Sequence, residues 1–342
     1  IALIWAEQWQ SWGKVYAVMA AIMLGVALFS LLFLPSVKSD IKPLASDPKK
    51  ELLGFFAMLV GVLAGVYLVR MAFNLAGINL QESNKWMQLA YVMTSLAVAL
   101  PLGLKAAQKA GFATLNQSLA SYFSQQGAWA FLILIILYKL GDAFAGSLFT
   151  PFLLKGMAFS QIEVGIVNKI IGIWLTIIGA FLAGLLMIRL SLFQALMSFG
   201  ILQLLSNFGF YALAVLGKGA WGSFMLMPFD LGFVSVLEPT QIDWLLMSAI
   251  ALENITSGMG TAAFVALLMS LCNNQFSATH YALLSALAAV GRIYVSPVAG
   301  VLSETLGWSN FFLFSVVMAV PGIVMLWWMR LAINSLNQKN QK

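Results

Sequence analysis

Long apolar runs broken by short polar stretches dominate this chain. Residues 15–34 form an apolar run of about 20 residues, enough for an α-helix to cross a hydrocarbon core of roughly 30 Å. The same test picks out 52–75, 86–104, 128–154, 162–188, 192–216, 244–271, 278–302 and 311–328, so nine whole spans are predicted. Residues 1–6 are too short to cross and read as the end of a further helix. Because the chain opens on Ile1 rather than Met, an N-terminal portion is expected to precede it.

The breaks carry the rest of the organisation. Residues 36–51, with Lys38, Lys42, Lys49 and Lys50, form the clearest linker. Gly61 and Gly65 make a small-xxx-small face suited to close helix packing. Between 105 and 126, Phe112, Leu115, Leu119 and Tyr122 recur at helical spacing, which predicts an amphipathic helix on the membrane surface. Residues 217–241 are apolar but interrupted by Pro228, Asp230 and Pro239, predicting an interfacial or re-entrant segment rather than a tenth crossing. The breaks divide the chain into 1–36, 37–127 with two spans and the amphipathic segment, and 128–342 with six spans and a short tail.

The last six spans divide into two units of three, and an odd number of crossings per unit inverts the second relative to the first. Each unit opens on a helix carrying an acid, Asp142 or Glu253. Each second helix begins with a capping signal, at Ser160 with Glu163 or at Ser277, and carries a base expected to be buried, Lys169 or Arg292. In alternate loops, Lys38, Lys42, Lys49, Lys50, Lys105, Lys109, Arg189, Arg330, Lys339 and Lys342 fall on one side. Only Lys14, Lys85, Lys155 and Lys218 fall on the other, so the C-terminus is expected in the cytoplasm.

Composition narrows the class. With 61% hydrophobic and 9% charged residues and a mean hydropathy of +0.93, an all-α polytopic membrane protein is predicted rather than an ordinary soluble domain. The net charge of +6 is spread over short loops without a basic, aromatic-interleaved block, so nucleic acid is not the expected partner. Cys272 is the only cysteine, which rules out an intrachain disulfide or a thiolate cluster. No phosphate-loop, His-Glu-x-x-His or paired-cysteine signature occurs, leaving an ion gradient as the expected energy source and no cofactor or metal.

Charge inside the spans supplies the candidate chemistry. Lys139 and Asp142 lie three residues apart, on one face of a helix. From the helical rise, Asp142 lies roughly 21 Å from the cytoplasmic end of its span and Lys169 roughly 10 Å from the outer end of its own, similar depths in a core of roughly 30 Å at which the two could pair. Glu253 falls roughly 14 Å and Arg292 roughly 21 Å into their spans. One reading is that these five charges neutralise each other and fix helix contacts. The other is that they line an aqueous pathway, with the bases drawing in an anionic substrate and Asp142 or Glu253 taking up protons. Asn168 and Asn254 are candidates for sugar hydroxyls or for interhelical bonds, and Tyr138 and Trp174 for packing on sugar rings. His280 fits a local role at a helix start better than proton transfer.

Several of these strings resemble a known family: Tyr138-Lys139-Leu140-Gly141-Asp142-Ala143-Phe144-Ala145, Val167-Asn168-Lys169, Leu252-Glu253-Asn254, the run from Gly258 to Met269, and Phe276 to Arg292. They are similar to the AmpG-type muropeptide permeases of the major facilitator superfamily. The resemblance implies a complete carboxy-terminal six-helix bundle and a partial amino-terminal one, without the first four helices and most of the fifth. It further implies a proton-driven, monomeric inner-membrane importer of anhydromuropeptides, active in peptidoglycan recycling and β-lactamase induction, and not an enzyme. His280 stands where the family pattern leads us to expect Gln. Two alternatives remain at this point: a facilitator for another amphiphilic anion such as a drug or siderophore, and a membrane-embedded wall enzyme or scaffold.

Overall fold

The computed structural model describes residues 5, 9–33, 47–230, 235–236, 238–272 and 277–339. Most of the predicted helix end at 1–6, the linker lysines Lys38 and Lys42, and Phe276 lie outside the described residues. Among the described residues, nine helices are long and apolar enough to cross a membrane, and they coincide with the nine predicted spans.

Helices α1 (Trp12–Phe33), α2 (Pro48–Leu75) and α3 (Lys85–Lys109) come first. Asp47 and Asn84 cap α2 and α3, each accepting a backbone N–H two or three residues on. The two helices then pack closely, because Gly61 lies against Gly103 and Ala106, and Gly65 against Ala99. The Gly61–Gly65 face therefore does what its spacing predicted. The predicted amphipathic segment is the short helix α4 (Ala113–Phe123), anchored by the buried Tyr122, whose hydroxyl donates to the Ala128 carbonyl at 3.0 Å.

The bundle begins with α5 (Ala128–Tyr138) and α6 (Leu140–Ser147), two pieces of one span that continues to Gly156. Next come α7 (Gln161–Met187), which is π-helical over Gly165–Ile171, and α8 (Leu192–Leu216), closed by a Ser191–Gln194 capping box. After the 217–243 segment, α9 (Trp244–Ser270), α10 (Ser277–Leu306) and α11 (Trp308–Trp328) form the second unit, followed by α12 (Arg330–Lys339). Each unit's first helix packs against the second and third helices of the other: α5–α6 meets α10 and α11, and α9 meets α7 and α8. A two-fold exchange of inverted units produces that pattern.

Among the described residues of 217–241 there is no helix long and apolar enough to cross a membrane, and the segment holds short strands that the hydropathy pattern did not reveal. Strands β1 (Ser223–Leu226) and β4 (Thr240–Asp243) pair antiparallel, and β2 (Phe229–Asp230) pairs with β3 (Ser235–Val236) inside them.

A second difference concerns the capping box. The Ser160 hydroxyl accepts from the Glu163 N–H at 3.1 Å, but the Glu163 carboxylate does not return the bond. It accepts instead from the backbone N–H of Asp243 at 2.9 Å and pairs with Lys218 at 3.4 Å. Asp243 in turn caps α9 through the Leu246 N–H at 2.8 Å. Glu163 thus pins the start of α7 to the end of the ribbon and the start of α9. Removing the carboxylate leaves a buried amide without its acceptor. Glu163→Ala is therefore expected to cost roughly 2 kcal/mol of stability, read as a lower thermal midpoint in detergent. An unchanged midpoint would show that the tie carries no weight.

Candidate functional site

The span containing Lys139 is broken at that residue. Lys139, with φ −94° and ψ 1°, closes α5 and opens α6. A cation thus sits at the carboxyl end of one helix and Asp142 in the first turn of the next, both favourable placements for the helix dipoles. The neighbouring helix holds the break in place. A side chain at Gly141 would collide with Ala319 of α11, and one at Gly322 of α11 would strike the Leu137 carbonyl.

Lys139 Nζ lies 3.4 Å from Asp142 Oδ2 and 3.5 Å from the Thr261 hydroxyl, and stands 5.5 Å from the centre of the Phe264 ring. The pair opens into a cavity of about 380 Å³ between α5–α6, α9 and α10. Arg292 and Tyr281 of α10 and Thr261 and Ser257 of α9 line it alongside Lys139 and Asp142. The void is polar on the two charged stripes and apolar at Ile136, Phe264 and Val265. Two cations, one carboxylate and several hydroxyls facing one half-apolar chamber suit an amphiphilic anion bearing hydroxyl groups.

On the side away from the chamber, α9 packs tightly against α7. Asn254 of α9 lies on this face, where it bonds to Thr176 of α7. A Cβ at Gly179 would meet the Ile255 carbonyl and one at Gly258 the Thr176 carbonyl, so both backbones are in contact. On the chamber side, a Cβ at Gly291 of α10 would meet Ile136 of α5 at 3.2 Å through its side chain and 3.8 Å through its carbonyl, a looser approach. Gly258→Leu is expected to force α7 from α9 and cost several kcal/mol, above the usual range for overpacking because the obstacle is backbone. Thr176→Val, which removes the hydroxyl proton shared between the Gly172 carbonyl and Asn254 Oδ1, is expected to cost about 1 kcal/mol or less. Thermal unfolding of the two variants in one detergent separates these effects, and equal losses would contradict the account.

The other predicted site residues fall as follows. Glu253 does not line the large cavity: it accepts a hydrogen bond from Ser206 of α8 and interacts electrostatically with Asp142 and Lys139. Lys169 is exposed and does not pair with Asp142, which pairs with its neighbour Lys139. The depth estimate assumed α-helical rise, whereas Lys169 stands on the π-helical turn. Arg292 is likewise exposed rather than buried, although it borders the cavity.

Tyr138 is buried, stacked on Phe264 at 5.7 Å with its hydroxyl donating to the Leu196 carbonyl at 3.2 Å. It supports the site from behind. Asn254 accepts from the Thr176 hydroxyl at 2.9 Å and donates to the Ile250 carbonyl at 2.8 Å, so its amide is engaged between helices. Trp174 is 65% exposed on the outer surface, away from the cavity. Asn168, partly buried beside Lys169, does not border the cavity either. Tyr281, Ser285, Ser257 and Thr261 were missed, although Tyr281, Ser285, Ala288 and Arg292 repeat at spacings of three and four that place them on one helix face.

The comparisons bear on this chamber. Over 208 residues the chain is 50% identical to the anhydromuropeptide permease of Escherichia coli, a match covering 61% of this chain and 38% of that protein. Over 213 residues it is 32% identical to a Rickettsia conorii transporter named AmpG 4, covering 62% of this chain and 46% of that one. The chain is related to the AmpG-type permeases. The matched stretch spans less than half of either relative's length. No family model matches the chain. Relatives named as permeases and transporters agree with an all-α polytopic membrane architecture.

Proposed function

We propose that this chain provides the carboxy-terminal wall of a secondary transporter that carries anhydromuropeptides from periplasm to cytoplasm by proton symport. The observation that carries the reading is the shared chamber of Lys139, Asp142, Thr261 and Arg292 in a chain 50% identical to an anhydromuropeptide permease. Lys139 and Arg292 meet the peptide carboxylates, the hydroxyl side chains meet the sugars, and Asp142 exchanges the proton with Glu253 close behind it. One bundle rocks against the other around this site. The protein works as a monomeric carrier in the bacterial inner membrane, draws on the proton gradient rather than a cofactor, and keeps its C-terminus in the cytoplasm. Returning wall fragments in this way serves peptidoglycan recycling and the signal that induces β-lactamase.

Uptake of labelled anhydromuropeptide into proteoliposomes under an imposed pH gradient tests this. Accumulation that collapses with the gradient, and is competed by unlabelled anhydromuropeptide but not by a siderophore, is expected. Equal competition by the siderophore would assign the chamber to another amphiphilic anion.

A further inference from the structure

Behind Asp142, away from the large chamber, lies a second cavity of about 10 Å³, bordered by Asp142, Tyr138, Gln203, Asn207, Gly200 and Ile323. Its volume is on the scale of a single water molecule. Gln203 is 6% and Asn207 2% exposed, and both come from the inner face of α8, one turn apart. Gln203 Nε2 and Asn207 Oδ1 are buried without a hydrogen-bond partner. Leaving such atoms unsatisfied costs on the order of 1–3 kcal/mol each. Glycines shape the space: a Cβ at Gly260 would overlap Gln203 Oε1, and one at Gly200 would crowd the Tyr138 ring.

We infer that Gln203 and Asn207 hold one ordered water molecule against the rear of Asp142. The two orphan atoms have opposite needs, since an amide N–H₂ seeks an acceptor and an amide oxygen seeks a donor. Water supplies both and keeps a second O–H for the Asp142 carboxylate. A sodium ion would satisfy the oxygens but repel the Gln203 donor, so the chemistry favours water. Asp142 is thereby fixed between Lys139 on its cavity side and the water on its protein side. Glu253 and Arg292 are the other charged groups in its surroundings. Gln203 and Asn207 act as positioning residues: they touch neither substrate nor the large chamber.

The test is a density map of the full chain, in nanodiscs or crystals, at a resolution that shows ordered water, for the native protein and for Gln203→Met/Asn207→Leu, which preserves volume. One peak within hydrogen-bond distance of Gln203 Nε2, Asn207 Oδ1 and the Asp142 carboxylate, lost in the double variant, is expected. A dry cavity, a direct amide-to-amide bond, or a peak with sodium-like short distances would overturn the proposal. The consequence for transport rests on the proton-symport reading and has its own readout. Gradient-driven uptake should fall roughly tenfold in the double variant, equivalent to about 1.4 kcal/mol, while substrate counterflow is retained and Asn207→Ser restores part of the loss. A water peak with unchanged uptake would leave the site standing and remove its link to proton transfer; no water together with gradient-driven uptake would overturn the site and leave the proton-symport reading standing.

Discussion

Asp142→Asn is expected to abolish proton-gradient-driven uptake, lowering it roughly a hundredfold or more, the scale of a lost proton-transfer group. The carboxylate is 15% exposed at the bend between two helices, pairs with Lys139 at 3.4 Å and faces the large chamber. Neutralising it also strands a partly buried lysine, at an expected stability cost of about 2 kcal/mol, between the values for exposed and fully buried pairs. The two effects separate in Lys139→Met/Asp142→Asn. That double variant has no stranded charge and should regain thermal stability while uptake stays low. Full uptake by Asp142→Asn at equal expression would remove Asp142 from the coupling role.

Arg292→Gln is expected to raise the half-saturation concentration for anhydromuropeptide ten- to hundredfold, with a smaller effect on maximal rate. A charge-assisted hydrogen bond contributes roughly 1.5–3 kcal/mol, which converts to that range of affinity. Arg292 is an exposed cation on the chamber wall that makes no ion pair with Asp142 among the described residues, so its removal should alter ligand affinity and leave the fold intact. Arg292→Lys should recover only part of the affinity, because an ammonium cannot offer the planar two-point contact that a carboxylate accepts. An unchanged half-saturation value would mean that substrate anions bind elsewhere.

All nine spans were legible from the apolar runs, since helices that bury their backbone in lipid must be long and nearly uncharged. The Lys139–Asp142 pair was also legible, because it follows from local spacing. What escaped was decided by packing. Whether Lys169 turns inward depends on a π-helical turn that has no simple sequence signal. Asn254 and Tyr138 are spent on Thr176 and Leu196, partners far away in sequence. Glu163 looked like half of a capping box until the ribbon end brought the Asp243 amide to it. The ribbon itself was hidden because its strands are only two to four residues long.

The central claim is that a water-filled, muropeptide-binding chamber opens between α5–α6, α9 and α10, and thiol accessibility tests it most directly. Burial pushes the Cys272 thiol up, so the native protein should react slowly at neutral pH, and Cys272→Ser supplies a silent background. In that background Ser285→Cys borders the chamber, whereas Val324→Cys lies on the exposed apolar face of α11. With a membrane-impermeant methanethiosulfonate, Ser285→Cys should be labelled, anhydromuropeptide should protect it, and Val324→Cys should stay unlabelled. A Ser285→Cys thiol that is unreactive, or that reacts equally with and without anhydromuropeptide, would contradict the account.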